Sequence, residues 1–470
     1  MDFALILPKD GPRTVRLVEA LREAILGGRL NPGERLPPTR SLALQLSVSR
    51  GTVVEAYEEL VSQGYCAARV GAGTFITVTA PTRGLSPAVP PAQLSAWGAR
   101  LPSPPPETVA EEPIRFDFRA GLDRDTFPAA ALGRALRRAA ERLGGEYGTG
   151  APAGSPRLRA ALAAYLARAR AVRTDPSQVI VVSGTQQGLD LAARLLLDPG
   201  DTVVVEDPGY PRALEVFRAL GARLLPAPVD RDGLVVSMLP PGGARMVYVT
   251  PSHQYPTGAV LSPERRLALL SWAAEHDAWV VEDDYDSEFR YSGPPLPSLQ
   301  GLDRSGRCLY LGSLSKTLHP ALRAGYLVVP PALAAAAVAG KSTLDQATTP
   351  VVQEALADLF EAGEIERHLQ RAARGYRARR ARMLTAFAAR LPADVHVWPV
   401  TGGLHAFLEI PAAAPAALQA RLRAHGIAVI DAADYYQSPP DGTALVVWFS
   451  RITPDRIEPG VAALAAAIRG

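Results

Sequence analysis

Cysteine is nearly absent from this chain. Cys66 and Cys308 stand far apart among 470 residues, with no CxxC and no clustered histidine beside them. A disulfide framework and a cysteine-based zinc site are therefore not indicated. Long apolar runs are missing too, and no stretch approaches the length needed to cross a bilayer. The amino terminus, MDFALILPKDGPRTV, meets Pro8 and Asp10 too early for a secretory apolar region and carries no small-residue cleavage pattern, so the expected location is the cytoplasm. Charge of one sign is not in excess either. A net +3 says little about partners, because nucleic-acid binding depends on where the cations lie. The chain is not poor in apolar residues: 47% apolar and 21% charged are globular values that exclude general disorder.

The length predicts roughly two to four domains. A break falls at residues 81–113, where prolines stand at 81, 87, 90, 91, 102, 104, 105, 106 and 113. Proline removes amide donors and favours extended geometry, which predicts a semi-rigid linker. Residues 1–80 then form one compact segment and residues 114–470 a larger one. In the larger segment the apolar runs QVIVVSG, DTVVVED, RMVYVTP, AWVVEDD and CLYLGSL alternate with Ala/Leu/Arg helical stretches. That alternation predicts a parallel, doubly wound α/β sheet. Beyond Pro350 helices dominate, followed by short strands at His396–Trp398, His405–Ile410 and Ala444–Phe449, the pattern of a smaller α+β subdomain.

In the amino-terminal segment, residues 14–26 read as an amphipathic helix with Val15, Val18, Leu21, Ile25 and Leu26 on its apolar face. PGERLPPTRSLALQLSVSRGTVVEAYEELVSQGY follows. It predicts a short helix from Thr39 to Leu46, a tight turn, and a longer helix capped by Ser49 with Val53, Tyr57, Leu60 and Val61 behind it. Arg50 and Thr52 fall on the exposed face, as in a helix-turn-helix whose second helix meets base edges with its amino end. From Arg35 to Val54 the only charges are Arg35, Arg40 and Arg50, an acid-free cationic stretch suited to phosphates. YCAARVGAGTFITV then reads as a hairpin wing. Its Gly71-Ala72-Gly73 turn permits close backbone approach beside Arg69. Together these elements resemble the GntR family of winged regulators, which implies double-stranded operator DNA as a partner.

Four elements of the larger segment suit one phosphorylated aromatic ligand. In VVSGTQQGLDL a small-residue turn opens a helix, so Gly184, Thr185 and Gln186 present amides and a hydroxyl to a phosphate. AWVVEDDYDSEF ends a buried strand with Asp283 and Tyr285 on one face, a carboxylate for a pyridinium nitrogen and a phenol for a ring oxygen. CLYLGSLSKTLHPALRAGYLVVP places Lys316, one of few lysines, in a Ser/Gly turn with Ser313 and Arg323 to neutralise a phosphate. EDPGYPR puts Tyr210 at a strand end, where its ring can stack on a cofactor, with Arg212 two residues beyond.

The order of these elements resembles fold-type I aminotransferases. The wording VTPSHQYPTG, EDDYDSEFRY and SLSKTLHPALRAGYLV is similar to the MocR/GabR regulators, including the pyridoxine-synthesis type. The resemblance implies a winged helix-turn-helix joined to a large aminotransferase-like domain that carries pyridoxal 5′-phosphate. By it, Lys316 bonds the cofactor, Asp283 pairs the pyridine nitrogen, Tyr285 meets the ring hydroxyl, Arg323 meets the phosphate, and Gly184, Thr185, Gln186 and Ser313 complete the phosphate cup. Tyr210 stacks on the ring. A head-to-tail homodimer is implied as well. Two positions depart from working aminotransferases. Tyr255 in HQYPTG replaces the usual asparagine, and in LVVWFSRITPDRI Val446 replaces the arginine that holds a substrate carboxylate, with Arg451 nearby but out of register. A non-enzymatic regulator sensing pyridoxal phosphate and controlling vitamin B6 metabolism is therefore expected. The alternatives are an amino-acid-responsive regulator with Arg212 as the carboxylate clamp, and a working aminotransferase.

Overall fold

The computed structural model describes residues 11–78, 93–102, 113–123, 125–143, 150–293, 296–411, 414–437 and 442–470. Of the expected linker, residues 81–92 and 103–112 lie outside these. The chain separates into two compact units, Met1–Gln93 and Leu94–Gly470.

The smaller unit packs helices Arg13–Leu26, Thr39–Gln45 and Arg50–Ser62 beside a hairpin of Cys66–Arg69 and Gly73–Ile76. Its core gathers Leu17, Leu21, Ile25, Leu42, Val53, Tyr57 and Leu60. Val15 and Leu26, expected on the apolar face, are instead exposed. At about 100° per residue they lie roughly 120–140° around the helix from Leu21, and Leu17 and Ala24 take their places in the buried stripe.

The larger unit is built on an eight-stranded sheet in the order Val179–Val182, Gly325–Val328, Cys308–Ser313, Trp279–Asp284, Ala244–Val249, Thr202–Asp207, Arg223–Asp230, Gly233–Leu234. The five runs read as strands are all present and run parallel to one another, but the sheet as a whole is mixed. Gly325–Val328 runs antiparallel to both of its neighbours. Only 11 residues, 314–324, connect it to Cys308–Ser313. That is too few for the helical crossover a parallel return requires, so the chain folds straight back. Lys316 and Arg323 both sit in this short return, at the carboxyl end of the central strands, where open α/β sheets bind ligands.

The expected small subdomain is a four-stranded antiparallel sheet of His396–Val397, His405–Ile410, Thr443–Trp448 and Ile430–Asp431, backed by helices Glu364–Arg390 and Pro454–Arg469. Part of the segment read as linker is folded: Ser95 caps a short helix, Ala96–Ala99, and the Arg100 guanidinium donates to Ala219 O at 3.0 Å. Ala219 lies near the carboxyl end of helix Pro211–Leu220, so the stretch from Leu94 to Pro102 belongs to the larger unit.

Candidate functional site

Lys316, Asp283, Tyr285, Arg323, Thr185, Gln186, Ser313, Tyr210 and Tyr255 line a single cavity of about 510 Å³ at the carboxyl end of the large sheet. Gly184 does not line it directly but stands under the Arg323 guanidinium, which a Cβ at that position would approach to 3.1 Å. Gly184 holds φ at +95° as the N-cap of helix Thr185–Leu196 and offers no capping side chain. The first-turn amides of that helix are thereby left to an anion, reinforced by the helix dipole and Arg323. Arg323 itself sits in the left-handed region with φ +47° and donates to Ser183 O at 2.7 Å.

Asp283 is the electrostatic centre of the cavity. Its Oδ2 accepts from the Tyr248 hydroxyl at 2.7 Å, whereas Oδ1 is buried without any partner. Burial pushes its carboxyl up to about 7, partly opposed by the Tyr248 hydrogen bond. Tyr248 escaped the sequence reading, although it is the lone hydroxyl of strand Ala244–Val249, two register positions from Asp283 through its pairing with Val281. A raised native pKa means that the folded state keeps a proton the unfolded state has released. Between about pH 4 and pH 7 this group therefore makes stability fall as pH rises. Asp283→Asn keeps an acceptor for Tyr248 but has no proton to lose. With both proteins cofactor-free, the melting temperature of the variant relative to wild type is expected to climb as pH is raised from about 5 to about 8. A pH-independent difference in calorimetry would contradict this account of Asp283.

Lys316 lies with Nζ 4.4 Å from the centroid of the Trp448 ring. Burial lowers its pKa against the opposing pull of Asp286, which enlarges the fraction of neutral, nucleophilic amine. It is one of three lysines in the chain, with Lys9 and Lys341. The Tyr285 hydroxyl meets His253 Nδ1 at 2.9 Å. Tyr255 packs edge-on against Tyr210 and Tyr285, each at 5.6 Å, and its hydroxyl meets that of Tyr435 at 3.1 Å.

Val446 is fully buried in the core of the small subdomain and faces Phe407 and Ile430 across the sheet. Trp448, two residues on, reaches the cavity in its place. Arg451 points elsewhere: it pairs with Asp117 at 2.8 Å, and its Cδ would meet a Cβ on Gly121 at 2.6 Å. Arg212 does line the cavity, but its guanidinium is engaged by Glu215 at 3.0 Å.

Pyridoxal 5′-phosphate fits these residues. Asp283 Oδ1 wants a donor such as a pyridinium N–H, the uncapped helix start and Arg323 want a phosphate, and Lys316 offers an amine for an aldehyde carbon. When bound, this cofactor supplies an electron sink for bonds at an amine's α carbon.

In the smaller unit Ser49 Oγ accepts from Thr52 N at 3.1 Å and fixes the start of helix Arg50–Ser62. Arg50, Arg40, Arg35 and Arg69 are all exposed. The Thr52 hydroxyl is shared with Ser49 at 2.8 Å and so is less available to DNA than the sequence suggested. In the wing, Gly71 has φ +73° and Gly73 φ +111°. A Cβ on Gly73 would meet Arg35 Nε at 2.6 Å, and the Arg69 guanidinium lies 4.8 Å from the Phe75 ring.

A winged helix-turn-helix joined to an aminotransferase-like site defines a class of composite DNA-binding regulators. Residues 121–444 match the family of aminotransferases of class I and II, and residues 13–76 match the bacterial regulatory proteins of the gntR family. The chain is 41% identical over 398 residues to the probable rhizopine catabolism regulatory protein MocR of Rhizobium meliloti, covering 83% of this chain and 80% of that one. It is 35% identical to the pyridoxine biosynthesis transcriptional regulator PdxR of Corynebacterium glutamicum, over 87% of this chain and 86% of that one. Among solved structures, a Pyrococcus horikoshii kynurenine aminotransferase superposes with TM-score 0.72 at 29% identity, covering 76% of this chain and 91% of that one. The chain belongs to the MocR type of GntR-family helix-turn-helix transcription regulators, with a domain of the aminotransferase class I and II family.

Proposed function

We propose that this MocR-type regulator carries pyridoxal 5′-phosphate on Lys316 and that the cofactor is itself the signal, controlling genes of vitamin B6 synthesis or salvage. The observation that carries this reading is an imbalance in the cavity. The groups a cofactor needs are assembled there, while the position that holds a substrate carboxylate in aminotransferases is the buried Val446. An amino acid would lack a charge-assisted fork worth about 1.5–3 kcal/mol per hydrogen bond to a charged group. The likeness to PdxR supports the pathway. On this reading Lys316, Asp283 and Arg323 serve sensing rather than turnover, and the protein acts in the cytoplasm. It binds its operator as a head-to-tail homodimer in which residues 1–80 read DNA, 81–113 link, and 114–470 sense. No helix among the described residues is long and apolar enough to cross a membrane.

A second reading rests on Arg212. Its place in the cavity wall allows it to trade Glu215 for an effector carboxylate, making the regulator responsive to an amino compound. Operator affinity separates the two, measured for cofactor-free and cofactor-loaded protein with and without a panel of amino acids. Cofactor sensing predicts a difference between the two forms alone, since only differential affinity can shift a two-state equilibrium. No such difference, together with a selective amino-acid effect on the loaded form, would reject it.

A further inference from the structure

We infer that His253, Asp286 and His405 form a binding site for a first-row divalent transition-metal ion, zinc foremost, behind the Tyr285 that lines the cavity. The three come from separate segments: the loop after Ala244–Val249, the turn after Trp279–Asp284, and the first residue of His405–Ile410. Their side chains are buried, at 3%, 0% and 1% exposure. One ligand atom from each lies within 4.8 Å of the others, a cluster not matched elsewhere among the described residues.

The hydrogen bonds prepare these atoms for a cation. His405 Nε2 lies 2.9 Å from Pro256 O, and a carbonyl only accepts, so this nitrogen carries the proton. The lone pair of the neutral ring then falls on Nδ1, which has no partner. Metal-bound histidines are typically oriented in this way, by donating the other ring N–H to a carbonyl or carboxylate. Asp286 meets His253 Nδ1 through Oδ1 at 3.1 Å and leaves Oδ2 unpartnered, as is His253 Nε2. Each of the three buried residues thus keeps one unpartnered polar atom, which costs about 1–3 kcal/mol. Two neutral imidazoles and a carboxylate are the donor set of three-ligand zinc sites that keep a fourth position open.

His253 is held rigidly. A Cβ on Gly403, at φ +67°, would meet its Cε1 at 1.9 Å, and one on Gly258, at φ +79°, would meet its Nε2 at 3.2 Å. Donors bound at about 2.0–2.1 Å sit closer together than 4.8 Å, so Asp286 and His405 draw inward on binding. The bond from Tyr285 to His253 joins this centre to the cofactor cavity.

The test uses full-length protein, stripped with a chelator and titrated with zinc in competition with a chromophoric indicator, with total metal counted by mass spectrometry. One zinc per chain is expected in wild type and equally in Lys316→Ala, so the outcome does not depend on the cofactor reading. His405→Asn and Asp286→Asn, checked for folding by circular dichroism, are each expected to weaken binding at least tenfold. Wild type that takes up no stoichiometric zinc would overturn the site. Undiminished binding in both folded variants would overturn it as well, by placing the ion elsewhere.

Discussion

Lys316→Ala is expected to abolish the visible absorption of the cofactor-loaded protein while leaving its far-ultraviolet circular dichroism and oligomeric state unchanged. Among the described residues no second lysine reaches the cavity. Lys341 is buried on helix Pro331–Asp345 with Nζ 2.5 Å from Asp345 Oδ1. The substitution also removes a cation whose burial is unfavourable, and the contact it gives up with the Trp448 ring is worth about 0.5–2 kcal/mol. The fold should tolerate it. Residual non-covalent binding through Arg323, the uncapped start of helix Thr185–Leu196 and Asp283 should still be detectable by calorimetry. Borohydride reduction of the wild-type protein followed by peptide mapping checks the position directly. Cofactor mass on any lysine other than Lys316 would refute the assignment.

Arg50→Ala should weaken binding to the specific operator by about 1–3 kcal/mol, roughly 5–150-fold, as loss of a good base contact does. No hydrogen bond or ion pair among the described residues occupies the Arg50 guanidinium, and it projects from the first position of the helix that Ser49 caps. Removing it therefore costs the small unit little. Arg40, exposed on the preceding helix, is expected to act through phosphates. Arg40→Ala should lower affinity about equally for all sequences and flatten the salt dependence by about one counterion. Equal affinity and unchanged sequence preference in both variants would remove the helix-turn-helix from the DNA interface.

Much of the large sheet was legible because strands buried on both faces are near-continuous apolar runs, as in AWVVEDD and CLYLGSL, and the chemistry follows directly at their carboxyl ends. The direction of Gly325–Val328 was not, since a four-residue apolar run reads the same either way and only the length of its connection decides. Tyr248 and Trp448 were missed for a different reason. Each reaches the cavity through pairing across a sheet, Tyr248 beside Val281 and Trp448 opposite His405, and register is not written in one strand alone. The cluster of His253, Asp286 and His405 is scattered over some 150 positions, beyond the reach of any spacing rule. In the small unit the helix-turn-helix was readable from its cap and stripe. The apolar face of the first helix was misjudged because Val15 and Leu26 are apolar yet face water.

Helix Pro211–Leu220 joins two regions that the sequence keeps apart. At its amino end Tyr210 and Arg212 form cavity wall, and Gln186 Nε2 grips Arg212 O at 3.0 Å; at its carboxyl end Ala219 O holds Arg100. Ten residues of α-helix make a strut about 15 Å long, far stiffer than the loops around it. The stretch Leu94–Pro102 thus stands on the same helix that borders the cavity. A displacement of Tyr210 or Arg212 would therefore be carried along this helix to the carbonyl that holds Arg100.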